Sequence, residues 1–361
     1  MRSVAILGAG IGGEHMKAYL TLTDRFKVAA VCDSDAVKAE KLASLAPGCE
    51  ATAHIDAVID DSNIEIIDIC LPPHLHGPVA LKAFLSGKHV ICEKPLAGSV
   101  SEADQMVEAA RASQCLLAPI FQYRYGRGIY LLAGLQERGL AGTPLIATLE
   151  THWDRGADYY AVPWRGQWES ERGGAVLGHA IHIHDLVTRF FGHVSAVSAL
   201  VDTRVNPIEV EDCAAISMRT SSGGLVTSSV TLGSAGNMSR LRLVFGGLTA
   251  ESGHNPYAPG ADVWRFKARD PDEQQTIDDA LSEIETEMAH RPSGYAGQFL
   301  EIARRLDGKS ADMVPPEDGV RSIELVAAIY HAARSGSRVS LPLDRTLPVC
   351  TDWTPSKDLP T

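Results

Sequence analysis

The 361-residue sequence has no apolar run of about 18 residues or more, so no membrane-spanning helix is expected. Its opening, MRSVAILGAGIGG, sets one arginine before a short apolar run. That run ends in glycines with no small-residue cleavage site after it, and it reads as a first β-strand, not a secretory leader. Cysteine pairs are also missing. The seven cysteines (Cys32, Cys49, Cys70, Cys92, Cys115, Cys213 and Cys350) are odd in number, scattered and never spaced as CxxC. This argues against a disulfide framework, and a reducing, cytoplasmic setting is expected. Basic residues are in the minority, 33 Lys and Arg against 45 Asp and Glu, for a formal charge of −12. A polyanionic surface would be repelled, so neither nucleic acid nor a membrane is an expected partner. Repeats and low-complexity tracts are absent. With 45% hydrophobic and 22% charged residues, the usage is ordinary for a globular protein and excludes wholesale disorder.

The length suits two domains. In the first third, strand-like runs (SVAILGAG, KVAAVCD, IEIIDICLPP, KHVICEKP) alternate with helical ones (GGEHMKAYLTL, DAVKAEKLASLA, HGPVALKAFLSG, SVSEADQMVEAARASQ), the last capped by Ser99 or Ser101. Strands separated by helices mean βαβ units and a doubly wound parallel sheet of Rossmann type. After about residue 120 the strands follow one another with few helices between: TPLIATLETHW, HVSAVSALVDTRV, DCAAISMRTSS, GLVTSSVTLG, SRLRLVFG and DVWRFKAR. The SSGG after Arg219 is a hairpin turn candidate. The expectation is an α/β domain over 1–120, then an α+β domain over 121–361 built on a large, mostly antiparallel open sheet. One helix interrupts it near 175–191, two more close the chain, and the PSKDLPT tail is expected to fray.

Gly8-Ala9-Gly10-Ile11-Gly12-Gly13 matches GxGxxG at Gly8, Gly10 and Gly13. The three glycines are expected to serve a tight turn, close backbone approach to a pyrophosphate, and close helix–strand packing. The motif follows a strand and opens a helix, whose N-terminus favours an anion. Gly8, Gly10, Ile11 and Gly13 are therefore candidate cofactor-binding residues. Asp33 lies at the end of the second strand, 20 residues after Gly13. A carboxylate there accepts ribose hydroxyls and repels a 2′-phosphate, so NAD is expected over NADP.

Several further motifs occur in order: ICLPPHLHG, GKHVICEKPLA, FQYRY, Trp164-Arg165 followed by Gly173-Gly174, and EDGVRSIELVAAIYHAARSGSRVSLP. With the glycine turn and Asp33, these resemble the glucose–fructose oxidoreductase / inositol dehydrogenase / MocA family over nearly the whole chain. The resemblance implies a catalytic Lys94 in Glu93-Lys94-Pro95, with a special peptide geometry at Pro95. It also implies that Pro72 and His76 line the nicotinamide side, that Glu93 approaches the cofactor ribose, and that Arg124 and Tyr295 face the substrate pocket. Physical reasoning points the same way for Lys94, since a cation at the carboxyl end of such a strand stands at the ligand crevice and can stabilise an alkoxide or hold a ribose. A surface lysine held by Glu93 is the bland alternative.

The family's pattern of a glycine pair, an Asp, and a His four residues later places the catalytic His at His182. The Asp position is Gly178, so the residue that orients the His in relatives is missing here. His179, His182 and Asp185 fall three apart on one helical face. His179 then stands toward the substrate, Asp185 is in reach to steady His182, and His184 is structural. The same stripe lends itself to a metal reading, but it has no fourth ligand and hydride transfer needs no metal. No metal is expected.

The segment THWDRGADYYAVPWRGQWESERGG gathers aromatic rings and polar forks of the kind that suit carbohydrate, with Trp153, Asp154, Trp164 and Arg165 as candidate contacts. An aromatic-pinned oligomer interface is the alternative. The expected function is NAD-dependent oxidation of a secondary alcohol of a sugar, glycoside or cyclitol to a keto-sugar, with C3 as a candidate position. His182 (or Lys94) is the base and Lys94 steadies the alkoxide. Two other classes stay open: a tight-NAD enzyme running a hidden redox cycle, by glycoside cleavage or sugar-to-sugar transfer, and a non-catalytic NAD-binding regulator. A homodimer or homotetramer is expected.

Overall fold

The run Val4–Leu7 is apolar on both faces, and such a strand belongs in the middle of a covered parallel sheet. The structure, a computed structural model that describes residues 1–355, places it there. The elements in chain order are β1 (Arg2–Leu7), α1 (Gly12–Leu20), β2 (Phe26–Cys32), α2 (Ala36–Ala43), β3 (Glu50–Thr52), α3 (Ile55–Asp60), β4 (Ile66–Ile69), α4 (His76–Leu85), β5 (His89–Cys92), α5 (Val100–Ala112) and β6 (Leu117–Pro119). Every pairing is parallel and the strand order is β3-β2-β1-β4-β5-β6. The order reverses between β1 and β4, and ligands of such sheets bind outside the carboxyl ends of the strands at that point. Ser99 is the cap of α5, its Oγ accepting the Glu102 N–H at 3.1 Å.

The second sheet follows α6 (Arg127–Glu137). Its strands and helices are β7 (Pro144–Asp154), the short α7 (Ala157–Tyr160) and α8 (Trp168–Glu171), a π-helical turn at Val176–Ala180, α9 (Ile181–Phe191), β8 (Val194–Asp202), β9 (Cys213–Thr220), β10 (Leu225–Thr231), β11 (Gly233–Phe245), β12 (Leu248–Glu251), β13 (Arg265–Ala268) and α10 (Gln274–Met288). The chain ends through α11 (Gly294–Leu306), α12 (Pro316–Ser335) and β14 (Val339–Ser340). The eight strands run β13-β12-β11-β7-β10-β9-β8-β14, antiparallel except for β7 with β10. In β7, Ala147, Leu149, Thr151 and Trp153 are buried while alternate residues face out, the pattern of a sheet covered on one side. The hairpin at SSGG joins β9 to β10, with Gly223 in the left-handed region at φ +90°.

Contacts divide the chain into two units, one of residues 1–122 with Tyr295–Ile323 and the other of Tyr123–Gly294 with Glu324 onward. A single cut at residue 120 therefore misses that 295–323 returns to the first unit. There Phe299 of α11 stacks on Tyr19 of α1 at 4.3 Å, and Gln298 bonds the Phe121 N–H and the Pro119 carbonyl. Among the described residues no helix is long and apolar enough to cross a membrane. The closing SKDLPT of the expected frayed tail lies outside the described residues.

Candidate functional site

In the first unit, the glycine turn leaves β1 through Gly8 at φ +103°, where a Cβ would fall 2.4 Å from the Cys70 carbonyl oxygen; only glycine fits. A Cβ on Gly10 meets nothing, so this stretch of backbone is open to a ligand. The packing glycine is Gly12, whose Cβ would strike Ile6 at 2.7 Å; Gly13 meets nothing, which corrects the role expected for it. Ile11 is exposed at the head of α1. Asp33 directly follows β2, with Oδ2 accepting the Ala9 N–H at 2.7 Å and Oδ1 accepting the Asp35 N–H at 2.9 Å. The carboxylate is thus fixed beside the glycine turn. Open backbone, a helix N-terminus and an acidic strand end together fit a dinucleotide.

The next two strand ends carry the other candidates. Pro72 opens a short 3₁₀ turn after β4. His76 is buried, with Nδ1 2.7 Å from the Pro95 carbonyl and Nε2 2.8 Å from the Leu71 carbonyl, and burial lowers its pKa. It joins the loops after β4 and β5 to each other. Glu93 follows β5; its Oε2 accepts the Lys94 N–H at 2.9 Å, and its Oε1 accepts the Tyr295 hydroxyl at 2.8 Å. Burial alone would raise its pKa, but the hydrogen bond and charge of His15, then Lys94 and Tyr295, bring it to about 2. The Lys94–Pro95 peptide is cis, the special geometry expected there. Tyr295, read from the sequence as a substrate contact, is placed with Glu93 in this unit.

In the second unit, His179 lies on the π-helical turn and His182 on the first turn of α9. Insertions of this kind recur at functional sites because they re-aim side chains. The His179 ring meets Trp153 edge-on at 4.9 Å and Tyr159 at 5.6 Å, and His182 stacks on Tyr123 at 4.2 Å. Trp153 is fixed by its Nε1 donating to Ser239. Asp154 is exposed at the end of β7. Arg165 lies over the rings of Tyr159 at 3.9 Å and Trp164 at 4.4 Å and bonds the Tyr159 hydroxyl. Arg155 sits over Trp153 and Tyr159. Imidazole, indole, phenol and guanidinium groups therefore converge here. Arg124 is buried and gives its guanidinium fork to Asp185, Nε to Oδ2 at 2.7 Å and Nη2 to Oδ1 at 2.5 Å. Asp185 is thereby bound to Arg124. His184 turns to the sheet, with Nε2 2.9 Å from Ser228 Oγ, and burial pushes it down to about 4.

Family comparison gives two matches in order: residues 2–121 fit the oxidoreductase family's NAD-binding Rossmann fold, and residues 137–341 fit the same family's C-terminal alpha/beta domain. The chain belongs to the Gfo/Idh/MocA oxidoreductase family. Its first unit is this family's NAD-binding Rossmann domain. Levoglucosan dehydrogenase of Pseudarthrobacter phenanthrenivorans is 31% identical over 62% of this chain and 59% of its own. D-glucoside 3-dehydrogenase of Escherichia coli is 24% identical over 94% and 97%. Among solved structures, a WlbA dehydrogenase of Chromobacterium violaceum with NADH and UDP-GlcNAcA superimposes with a TM-score of 0.83 at 26% identity, covering 95% of this chain and 96% of that one. The chain spans 57–59% of the length of the first curated relatives it matches.

Three residues of this Gfo/Idh/MocA chain were not singled out in the sequence. His15 is buried against Asp68 and Glu93. Tyr123 stacks on His182, and it lies within the FQYRY motif that the resemblance already marked. Glu211 is buried and accepts the Gly174 and Val176 N–H groups ahead of the histidine-bearing turn. In the sequence it stands among three acids, Glu209, Glu211 and Asp212, just ahead of a strand-like run, with nothing to set it apart from the other two.

Proposed function

We propose that the protein is an NAD-dependent dehydrogenase that oxidises a secondary alcohol of a sugar, glycoside or cyclitol to a ketone. The observation that carries this reading is the turn after β5, where buried, ionised Glu93 holds the backbone of Lys94 at a strand end next to the switch point of the sheet. An ammonium in that place is suited to stabilise a developing alkoxide. Family membership supports oxidoreductase chemistry, and relatives named levoglucosan, inositol and glucoside dehydrogenases support a polyol substrate. The glucoside 3-dehydrogenase alignment along nearly the full chain favours C3.

Bound NAD supplies the hydride acceptor. Asp33 orders the ribose hydroxyls and disfavours a 2′-phosphate. His182 takes the hydroxyl proton, a neutral imidazole being a competent base near pH 7. Tyr123, stacked on that ring, holds its plane. His179, Trp153, Trp164, Arg165 and the exposed Asp154 form the sugar contacts, stacking on C–H faces and bonding hydroxyls.

The test follows reduced-nicotinamide absorbance with glucose, its glycosides and inositols. Turnover of at least one is expected, abolished in Lys94→Ala with NAD binding kept, and lowered about 100-fold or more in His182→Ala. Near-normal turnover in Lys94→Ala overturns the assignment of Lys94. NAD binding with no reduction by any substrate supports a regulator instead, and bound NAD with substrate conversion but no net reduction supports the hidden redox cycle.

A further inference from the structure

Beneath the Glu93–Pro95 turn runs a chain of buried polar groups that the reaction above does not use. His15, on α1, is fully buried, with Nδ1 2.8 Å from Asp68 Oδ2 on β4 and Nε2 3.1 Å from Glu93 Oε1. The Tyr19 hydroxyl donates to the same Asp68 oxygen at 2.9 Å, and that of Tyr295 to the same Glu93 oxygen. Cys70 Sγ lies 3.4 Å from Nδ1, and the ring is flanked by those of Tyr295 at 4.5 Å and Phe299 at 5.2 Å. A neutral imidazole has one N–H and would turn a lone pair on one of the two carboxylates; an imidazolium donates to both.

We propose that His15 is a positioning residue for Lys94: as an imidazolium clamped between Asp68 and Glu93, it holds the Glu93 carboxylate against the Lys94 backbone N–H and ties the glycine-turn helix to the Lys94 turn. The surroundings agree with this charge state. Burial opposes the proton on His15, but Asp68, aided by Cys70, holds its pKa well above the ordinary value. His15, Asp68 and Cys70 also bring three potential metal-ligand atoms within 4.8 Å. Burial and Asp68 push the Cys70 thiol up to about 12, and both ring nitrogens already face carboxylates, so a proton is the cation that fits.

Two readouts test this. The first is NMR of protein labelled with ¹⁵N-histidine, the His15 signal being assigned as the one lost in His15→Gln. It should show imidazolium shifts at pH 7, and a neutral ring at pH 7 overturns the proposal. If His15→Gln does not fold, Glu93→Gln serves: a histidine signal that is imidazolium at pH 7 in the unmodified protein should then titrate at lower pH, and histidine titrations that all stay unmoved overturn the proposal. The second readout is the pH profile. In His15→Gln, Glu93 is buried near Asp68 without its cation and should gain an ionisation between about pH 5 and 8. kcat/KM should then fall about tenfold per pH unit below it. The double variant His15→Gln/Glu93→Gln should lose this dependence. A profile of wild-type shape in His15→Gln reduces the residue to a packing role and overturns the proposal. The profile rests on the dehydrogenase reading, and the NMR measurement does not.

Discussion

Glu211 is a carboxylate held where burial favours its neutral form. Its Oε2 accepts the Gly174 N–H and its Oε1 the Val176 N–H, each at 2.9 Å, and the Tyr330 hydroxyl reaches both oxygens at 3.0 Å. Burial outweighs these donors and raises the pKa from 4.5 to about 7. A raised carboxyl binds its proton more tightly folded than unfolded, so its contribution to stability falls as pH rises from about 4.5 to 7. Glu211→Gln should flatten that fall, seen as a smaller difference in urea midpoint between pH 5 and pH 7.5 than in the unmodified protein. An equal difference refutes this. The same residue explains the glycine pair. A Cβ on Gly174 would lie 1.8 Å from the Glu211 carbonyl oxygen, and one on Gly173 would lie 2.4 Å from the Tyr330 hydroxyl. Gly174→Ala must displace backbone, and a loss of about 3 kcal/mol is expected in urea unfolding. Gly173-Gly174 was legible in the sequence as a family motif, but its cause was not. Glu211 stands 37 residues downstream of Gly174, and only the fold brings them together.

At the scale of elements, the departure at Gly178 has a defined setting. It lies in the π-helical turn before α9, and a Cβ there meets nothing within 4 Å. Nothing in the packing therefore requires glycine. Gly178→Ala should stabilise the protein by about 0.5–1 kcal/mol through the entropy glycine loses in a helix. Gly178→Asp should fold normally and place the family's carboxylate one turn before His182; a changed acid limb of kcat is the signature that it acts on the base. A Tm drop of several degrees in either variant contradicts the open space. The helix over 175–191 was legible from its apolar periodicity, but the π turn was not, because it changes hydrogen-bond partners without changing composition. β3 (EAT) and β12 (LTAE) were missed because neither stands in an apolar run of the kind that marks the similarly short β4 and β5. α10 was missed although Ile277, Ala280 and Ile284 mark a narrow buried stripe, since acidic and amide residues dominate the rest.

For the whole chain, the alternation of strands and helices was enough to give the doubly wound sheet, and the run of strands after residue 120 to give the second. The return of 295–323 to the first unit was not legible, because an amphipathic helix looks the same whichever core it covers. The second sheet also leaves a face to solvent. On it Leu225 of β10 pairs in register with Ile146 of β7, both 44% exposed, and Leu200 of β8, 73% exposed, pairs with Ala215 of β9. Thr148, Thr227, Ser217 and Ser229 lie between them. Large aliphatic side chains amid small ones, on a sheet face open to water, suit a flat partner of the same kind. A second copy of this face would supply that partner through a two-fold axis. A homodimer or homotetramer is therefore expected by sizing chromatography with light scattering. Leu200→Glu combined with Leu225→Glu puts two charges on the face and should yield a monomer with an unchanged circular dichroism spectrum. A monomeric unmodified protein contradicts the pairing, and an oligomer that survives both substitutions moves it to another surface.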